Sequence, residues 1–227
     1  AQQYRTGPLF TAPIARGAGD KFGTLFVPNG ANWPGGSFDP ETGVMYLFSQ
    51  TLSRVLAMRH DPDRSDMDYI NGPARGPGQT VMGLPLMKPP WGRITAIDLN
   101  IGEIVWQVAH GATPDSVKNH PALRGVEFPR TGRQGPVGTL TTKTLVIAGE
   151  GGRNAPGGGF WTTPDGRRGA MLRAYDKATG DNVAEVYMPA PQTGTPMTYE
   201  LDGKQYIVVA VGGGTVPAEL LAFALPD

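Results

Sequence analysis

Apolar residues fall in short runs broken by polar turns, and one such pattern repeats. Residues 94–108 read ITAIDLNIGEIVWQV. Two β-favouring runs flank a polar turn, the pattern of a strand–turn–strand hairpin. It returns at 172–186 as LRAYDKATGDNVAEV, with Ala96 over Ala174, Asp98 over Asp176 and Gly102 over Gly180. A shorter echo, LLAFA, stands at 220–224. In each full copy the aspartate side chain can accept turn amides, and the glycine supplies a positive φ where the turn exits. Residues 37–47, SFDPETGVMYL, repeat that chemistry through Asp39, Pro40 and Gly43, and LDGKQYI at 201–207 predicts a tighter Asp-Gly hairpin.

Further strands are predicted at 24–28, 36–39, 44–49, 138–140, 144–149, 196–200 and 205–211. Residues 52–59 fit a strand or a short helix, because so short an apolar run has no decisive period. Two stretches, 60–90 and 110–134, read as irregular inserts, and 151–169 as a glycine-rich excursion. The strands group into antiparallel units of four. Such units in series predict an all-β fold, a β-propeller of four-stranded blades. The blades are expected at about 24–109, 135–188 and 193–227, with the strand at 24–28 either extending the first or belonging to a preceding unit. The last blade lacks its outermost strand. Propellers close with about four to eight blades, so about three blades of a larger ring are expected. A complementary N-terminal propeller half or a partner chain would complete it.

Composition agrees. The chain has 227 residues with 33 Gly and 22 Pro, too many for a helical protein, while 39% hydrophobic residues argue against wholesale disorder. Lys and Arg together number 20, as do Asp and Glu. No basic field points to nucleic acid. The absence of cysteine excludes disulfides, cysteine zinc sites and covalently attached c-type haem. His60, His110 and His120 lie in irregular segments without metal-ligand spacing and read as surface histidines. Asp61, Asp63, Asp66 and Asp68 lack the glycine and glutamate of a calcium loop and read as solvated.

The stretch 96–106, A-x-D-x-x-x-G-x-x-x-W, resembles the tryptophan-docking repeat of pyrroloquinoline quinone (PQQ) dehydrogenases. NWPGGSFDPETGVMYL at 32–47, PPWGRITAIDLNIGEIVW at 89–106 and TGTPMTYELDGKQYIVVAVGGG at 193–214 are similar to the C-terminal part of that family, nearest the membrane-bound glucose and quinate dehydrogenase branch. The resemblance implies an eight-bladed quinoprotein propeller with PQQ held near its axis beside calcium. It implies oxidation of a sugar, polyol or other alcohol by hydride transfer to the quinone. Electrons would pass to ubiquinone or a cytochrome, in the periplasm, with any membrane association made through a part outside this chain. The catalytic aspartate, the calcium ligands and a cofactor-contacting lysine belong to earlier blades of the family, and no stretch here matches them. Ala184 stands where the second docking tryptophan would be. The alternative is a non-catalytic propeller scaffold, since fold does not dictate function.

The cofactor-side candidates are then Asn32, Trp33, Trp91, Gly135 and Pro136. Asn32 and Trp33 correspond to a loop that lines the quinone in the family: an amide to bond a quinone oxygen, an indole as a flat wall. The opposing reading is a turn asparagine and a buried, anchoring tryptophan. Trp91 could shape the substrate mouth or fix its loop by packing. Gly135 and Pro136 lead into an inner strand, where glycine could admit a ligand to the backbone or simply serve a turn. Trp106 is expected between blades as a structural ring.

Overall fold

In the computed structural model the described residues are 2–8, 10–15, 21–27, 30–73, 79–153, 155 and 159–224. Part of the 24–28 strand, part of the glycine-rich excursion and the end of the 193–227 blade lie outside them. The chain divides into two compact units, Ala1–Pro28 with Leu52–Lys88, and Asn29–Thr51 with Pro89–Asp227.

In the first unit Arg54–Arg59 is the spine of a small sheet. It pairs antiparallel with Thr24–Phe26 and Ile70–Pro73 and parallel with Ile14–Ala15. Within the 52–59 segment Arg54–Arg59 is therefore a strand, not a helix. Partners on both edges satisfy its backbone groups, which settles what local periodicity left open. Thr24–Phe26 belongs to this sheet and does not extend the four-stranded sheet that begins at Gly36. The insert expected to be irregular carries a short hairpin, Thr80–Val81 with Leu84–Pro85.

The second unit holds three antiparallel sheets in chain order. The first is Gly36–Asp39, Val44–Gln50, Gly92–Asp98 and Glu103–Ala109, each strand beside the next. The second is Leu140–Thr141, Leu145–Gly149, Arg168–Asp176 and Asn182–Met188, with Trp161–Thr162 added on Arg168–Asp176. The third has three strands, Met197–Leu201, Lys204–Gly213 and Val216–Ala224.

Side-chain alternation stacks these sheets face to face. Val146 and Ala148 pack with Tyr46, Phe48, Ile94 and Ala96 of the first sheet. Between them in sequence, Ile147 points the other way, to Val209 and Val211 of the third sheet. A strand alternates its side chains between faces. The second sheet is thus buried on both sides, which is why LVIAG at 145–149 is apolar without interruption.

The repeated turns form as their spacing predicts. Asp176 Oδ1 accepts the amides of Ala178 and Thr179, both at 2.9 Å, and Asp98 Oδ1 accepts that of Asn100 at 2.8 Å. Gly102 and Gly180 take φ of 75° and 78°. These turns also dock the sheets. The Trp106 indole N–H donates to the Lys177 carbonyl at 3.1 Å, and the ring lies so close to Gly180 that a Cβ there would meet it at 2.8 Å. Lys177 Nζ reaches back to Asp39 Oδ2 at 2.7 Å. Trp106 therefore sits between the first and second sheets. At the equivalent position, paired with Ala174, Ala184 offers only a methyl group.

Candidate functional site

The loops that enter the three innermost strands gather at one end of these sheets. Gly30 and Gln50 exchange backbone hydrogen bonds at 3.2 and 3.1 Å, which pins the loop carrying Asn32 and Trp33 to the end of the Val44–Gln50 strand. The Gln50 side-chain carbonyl accepts the Gly135 amide at 3.2 Å. Thr51 next to it donates its amide to the Trp91 carbonyl at 3.0 Å and accepts the Gln134 side chain at 2.9 Å. Arg93 ties the same corner through Ser49 and Thr51. Gln50–Thr51 is thus the hub joining all three candidate segments. The only trace of it in the sequence is a polar pair closing an apolar strand.

The five candidates part company in exposure. Trp33 is 95% exposed. This corrects the reading of a buried anchor: among the described residues, no side chain covers its ring. The Asn32 side-chain carbonyl caps the Trp33 amide at 2.8 Å. Its amide nitrogen has no hydrogen-bond partner among the described residues, so the loop presents a bare indole and a free donor pair. That suits a flat, oxygen-rich ligand such as a quinone, which takes an aromatic wall and N–H donors. Trp91 is 6% exposed, and its backbone bonds to both Thr51 and Thr131, which fixes the loop. Gly135 is buried with φ of 130°, and a Cβ on it would run into the Gly151 backbone. It lets two chain segments touch. Pro136 is half-buried beside it. The loops meet again where Thr195 Oγ1 donates to the Pro34 carbonyl at 3.3 Å, over Gly138.

Behind these loops lies a polar network that the sequence reading missed. Glu150 is fully buried. It accepts the amides of Ala112 at 2.7 Å and Met171 at 3.1 Å, the Trp161 indole N–H, and Arg173 at 3.0 Å. Arg173 also pairs with Glu185. Burial opposes the Arg173 charge, but Glu150, Tyr175 and Glu185 outweigh it and hold its pKa above the ordinary guanidinium value. The signal for Glu150 was a lone acid directly after the apolar strand.

His110 is likewise 1% exposed, a correction to its reading as a surface histidine. One ring nitrogen meets the Tyr175 hydroxyl at 2.8 Å and the other the Gly149 carbonyl at 3.1 Å. Phe48 packs edge-on against it. Burial first, and the Arg173 charge second, push its pKa down to about 3. The folded protein thus keeps His110 neutral where an unfolded chain, at about 6.5, would take up a proton. That stability is complete above pH 6.5 and is lost as pH falls towards the folded value. Between pH 7 and 5, above the usual carboxylate range, stability should drop by about 1–2 kcal/mol. Urea midpoints across that interval check this, and His110→Phe should flatten the slope.

Among the described residues no three His, Asp or Glu side chains gather as a metal site, and no helix is long and apolar enough to cross a membrane.

Comparison with known proteins gives a consistent family. The PQQ family described as "Glucose/ethanol/alcohol dehydrogenase, beta-propeller domain" matches residues 1–207. A quinoprotein glucose dehydrogenase of Escherichia coli (strain K12) is 33% identical over 256 aligned positions, covering 99% of this chain and 29% of that protein. A probable quinate dehydrogenase (quinone) of Xanthomonas campestris pv. juglandis is 28% identical, covering 100% of this chain and 29% of that one. Among solved structures, the quinohemoprotein alcohol dehydrogenase of Comamonas testosteroni superposes with a TM-score of 0.51 at 24% identity, over 86% of this chain and 26% of that one. That likeness bears on the fold alone. The three sheets are blades of a β-propeller, and the chain spans under a third of the length of these relatives.

Proposed function

The chain belongs to the PQQ β-propeller family of glucose, ethanol and alcohol dehydrogenases, and from that premise we propose that it is one part of a PQQ-dependent dehydrogenase. The assembled enzyme oxidises a sugar, polyol or other alcohol by hydride transfer to the quinone. The observation that carries this reading is the Asn32–Trp33 loop, which holds a 95% exposed indole where the innermost strands begin. Relatives matched over nearly the whole chain are a quinoprotein glucose dehydrogenase and a probable quinate dehydrogenase, which supports the substrate class.

The bound quinone supplies the hydride acceptor; this chain supplies position. Trp33 offers a flat apolar wall, and Asn32 donates N–H to a quinone or carboxylate oxygen. Trp91, Gly135 and Pro136 back that wall by holding their segments to Gln50 and Thr51. Calcium, the catalytic aspartate and the remaining cofactor contacts come from a complementary propeller half, either a partner chain or sequence N-terminal to this one. The three sheets, 36–50 with 92–109, 140–188 and 197–224, form one side of the ring. A periplasmic site and transfer of electrons to ubiquinone or a cytochrome complete the proposal.

Reconstitution of the completed protein with PQQ and calcium tests it, with dye reduction followed across panels of sugars and alcohols. Trp33→Ala should raise the PQQ concentration for half-maximal activity about tenfold or more while leaving thermal stability unchanged. The ring touches no core, so its loss removes only ligand contact. Absence of turnover with every substrate would defeat the reading.

A further inference from the structure

We propose that the recess between the 110–139 connection and the second sheet binds a small ring-bearing organic anion, at a place distinct from the Asn32–Trp33 loop. The recess has a volume of about 770 Å³. Trp161 and Arg173 form its rigid floor, because both are bonded to Glu150. Lys118, Arg124 and Arg130 stand around it, with Phe128 as a second aromatic face.

Charge decides what fits. None of Lys118, Arg124 and Arg130 makes an ion pair among the described residues. Among the described residues Glu127 is the one acid on the recess wall. Glu150 and Glu185 are already engaged by Arg173, and Asp115 accepts the Thr162 amide at 3.3 Å. Under the floor lies a fourth cation, which also feels the charges of Glu150 and Asp115. Arg133 is 3% exposed, its guanidinium rests 5.6 Å from the centre of the Trp161 ring, and its Nε and Nη1 have no hydrogen-bond partner among the described residues. Setting Lys118, Arg124, Arg130, Arg133 and Arg173 against Glu127, Asp115, Glu150 and Glu185 leaves one positive charge uncompensated.

Arg133 does not itself line the recess, so it can contribute only its charge. Arg133 acts through its field across Trp161, in a partly desolvated setting where charges interact more strongly than in water. Arg130 and Lys118 reach the recess and can bond oxygen directly. Trp161 and Phe128 supply apolar faces. The complementary ligand carries a carboxylate or phosphate on a flat ring. A neutral sugar would leave the cations unanswered.

The test is calorimetric titration of the completed protein, saturated with PQQ, at low ionic strength. Benzoate, inorganic phosphate and the neutral ring cyclohexanol are the probes. Benzoate should bind saturably at one site per chain, more tightly than phosphate, and weaken steeply with added salt. Cyclohexanol should not bind. Arg130→Gln should weaken benzoate about tenfold or more. The paired Lys118→Gln and Arg124→Gln variant should do the same; both residues are exposed, so this variant keeps the fold if Arg130→Gln does not. Lys143→Gln, in an exposed turn of the second sheet, should leave the isotherm unchanged. Absence of saturable benzoate binding, or an isotherm indifferent to the paired variant, overturns the site. Phosphate binding tighter than benzoate overturns the ring-bearing ligand.

Discussion

Replacing Glu150 with glutamine is expected to destabilise the fold by about 3–5 kcal/mol, the cost of breaking a buried ion pair from one side. The carboxylate is fully buried and gathers donors from four residues: two backbone amides, the Trp161 indole and the Arg173 guanidinium. Glutamine keeps the volume but loses the charge. Its amide nitrogen must also face groups that are themselves donors. Arg173 would then keep only Glu185, at the edge of the sheet. Removing both charges should be milder than the first change alone, because an uncompensated buried charge is what costs most. In a double-mutant cycle, Glu150→Gln with Arg173→Met should recover at least about 1 kcal/mol relative to the sum of the single variants. Denaturant midpoints with unchanged slope are the measurement. A loss below about 1 kcal/mol for Glu150→Gln would mean that the charge is not what holds this corner together.

Trp106→Ala is expected to cost about 2–3 kcal/mol, somewhat under the range for a fully buried tryptophan because its ring is only half-buried. The indole fills the space between the first and second sheets, 5.6 Å from the Tyr46 ring centre, and donates to the Lys177 carbonyl. Truncation opens a void over Gly180 and leaves that carbonyl only the longer bond from the Tyr46 hydroxyl, at 3.3 Å. Trp106→Phe separates the two effects: it keeps most of the apolar contact and should lose about 1 kcal/mol with the hydrogen bond. Gly180→Ala probes the same contact from the other side, since it demands both a positive φ of 78° and room that the ring occupies. Equal stability of Trp106→Ala and the parent protein would show that Lys177, paired with Asp39 at 2.7 Å, docks the sheets without it.

The hairpins and their turns were legible in the chain because they are local. Asp98 with Gly102 and Asp176 with Gly180 satisfy their turn amides within a few residues, so spacing alone carries the information. The repetition of that unit, with the long motifs around it, determined the four-stranded sheets and the family. Three matters depended on which surfaces meet across many residues. Whether 52–59 is a strand was decided by partners at 14–15, 24–26 and 70–73. Whether His110 faces water was decided by Tyr175 and Gly149, far along the chain. Whether Trp33 anchors a loop or stands bare was decided by what the fold left uncovered. A side chain's burial is a property of the neighbours that arrive, and a one-dimensional pattern names those neighbours only where they are close in sequence or repeat with a period.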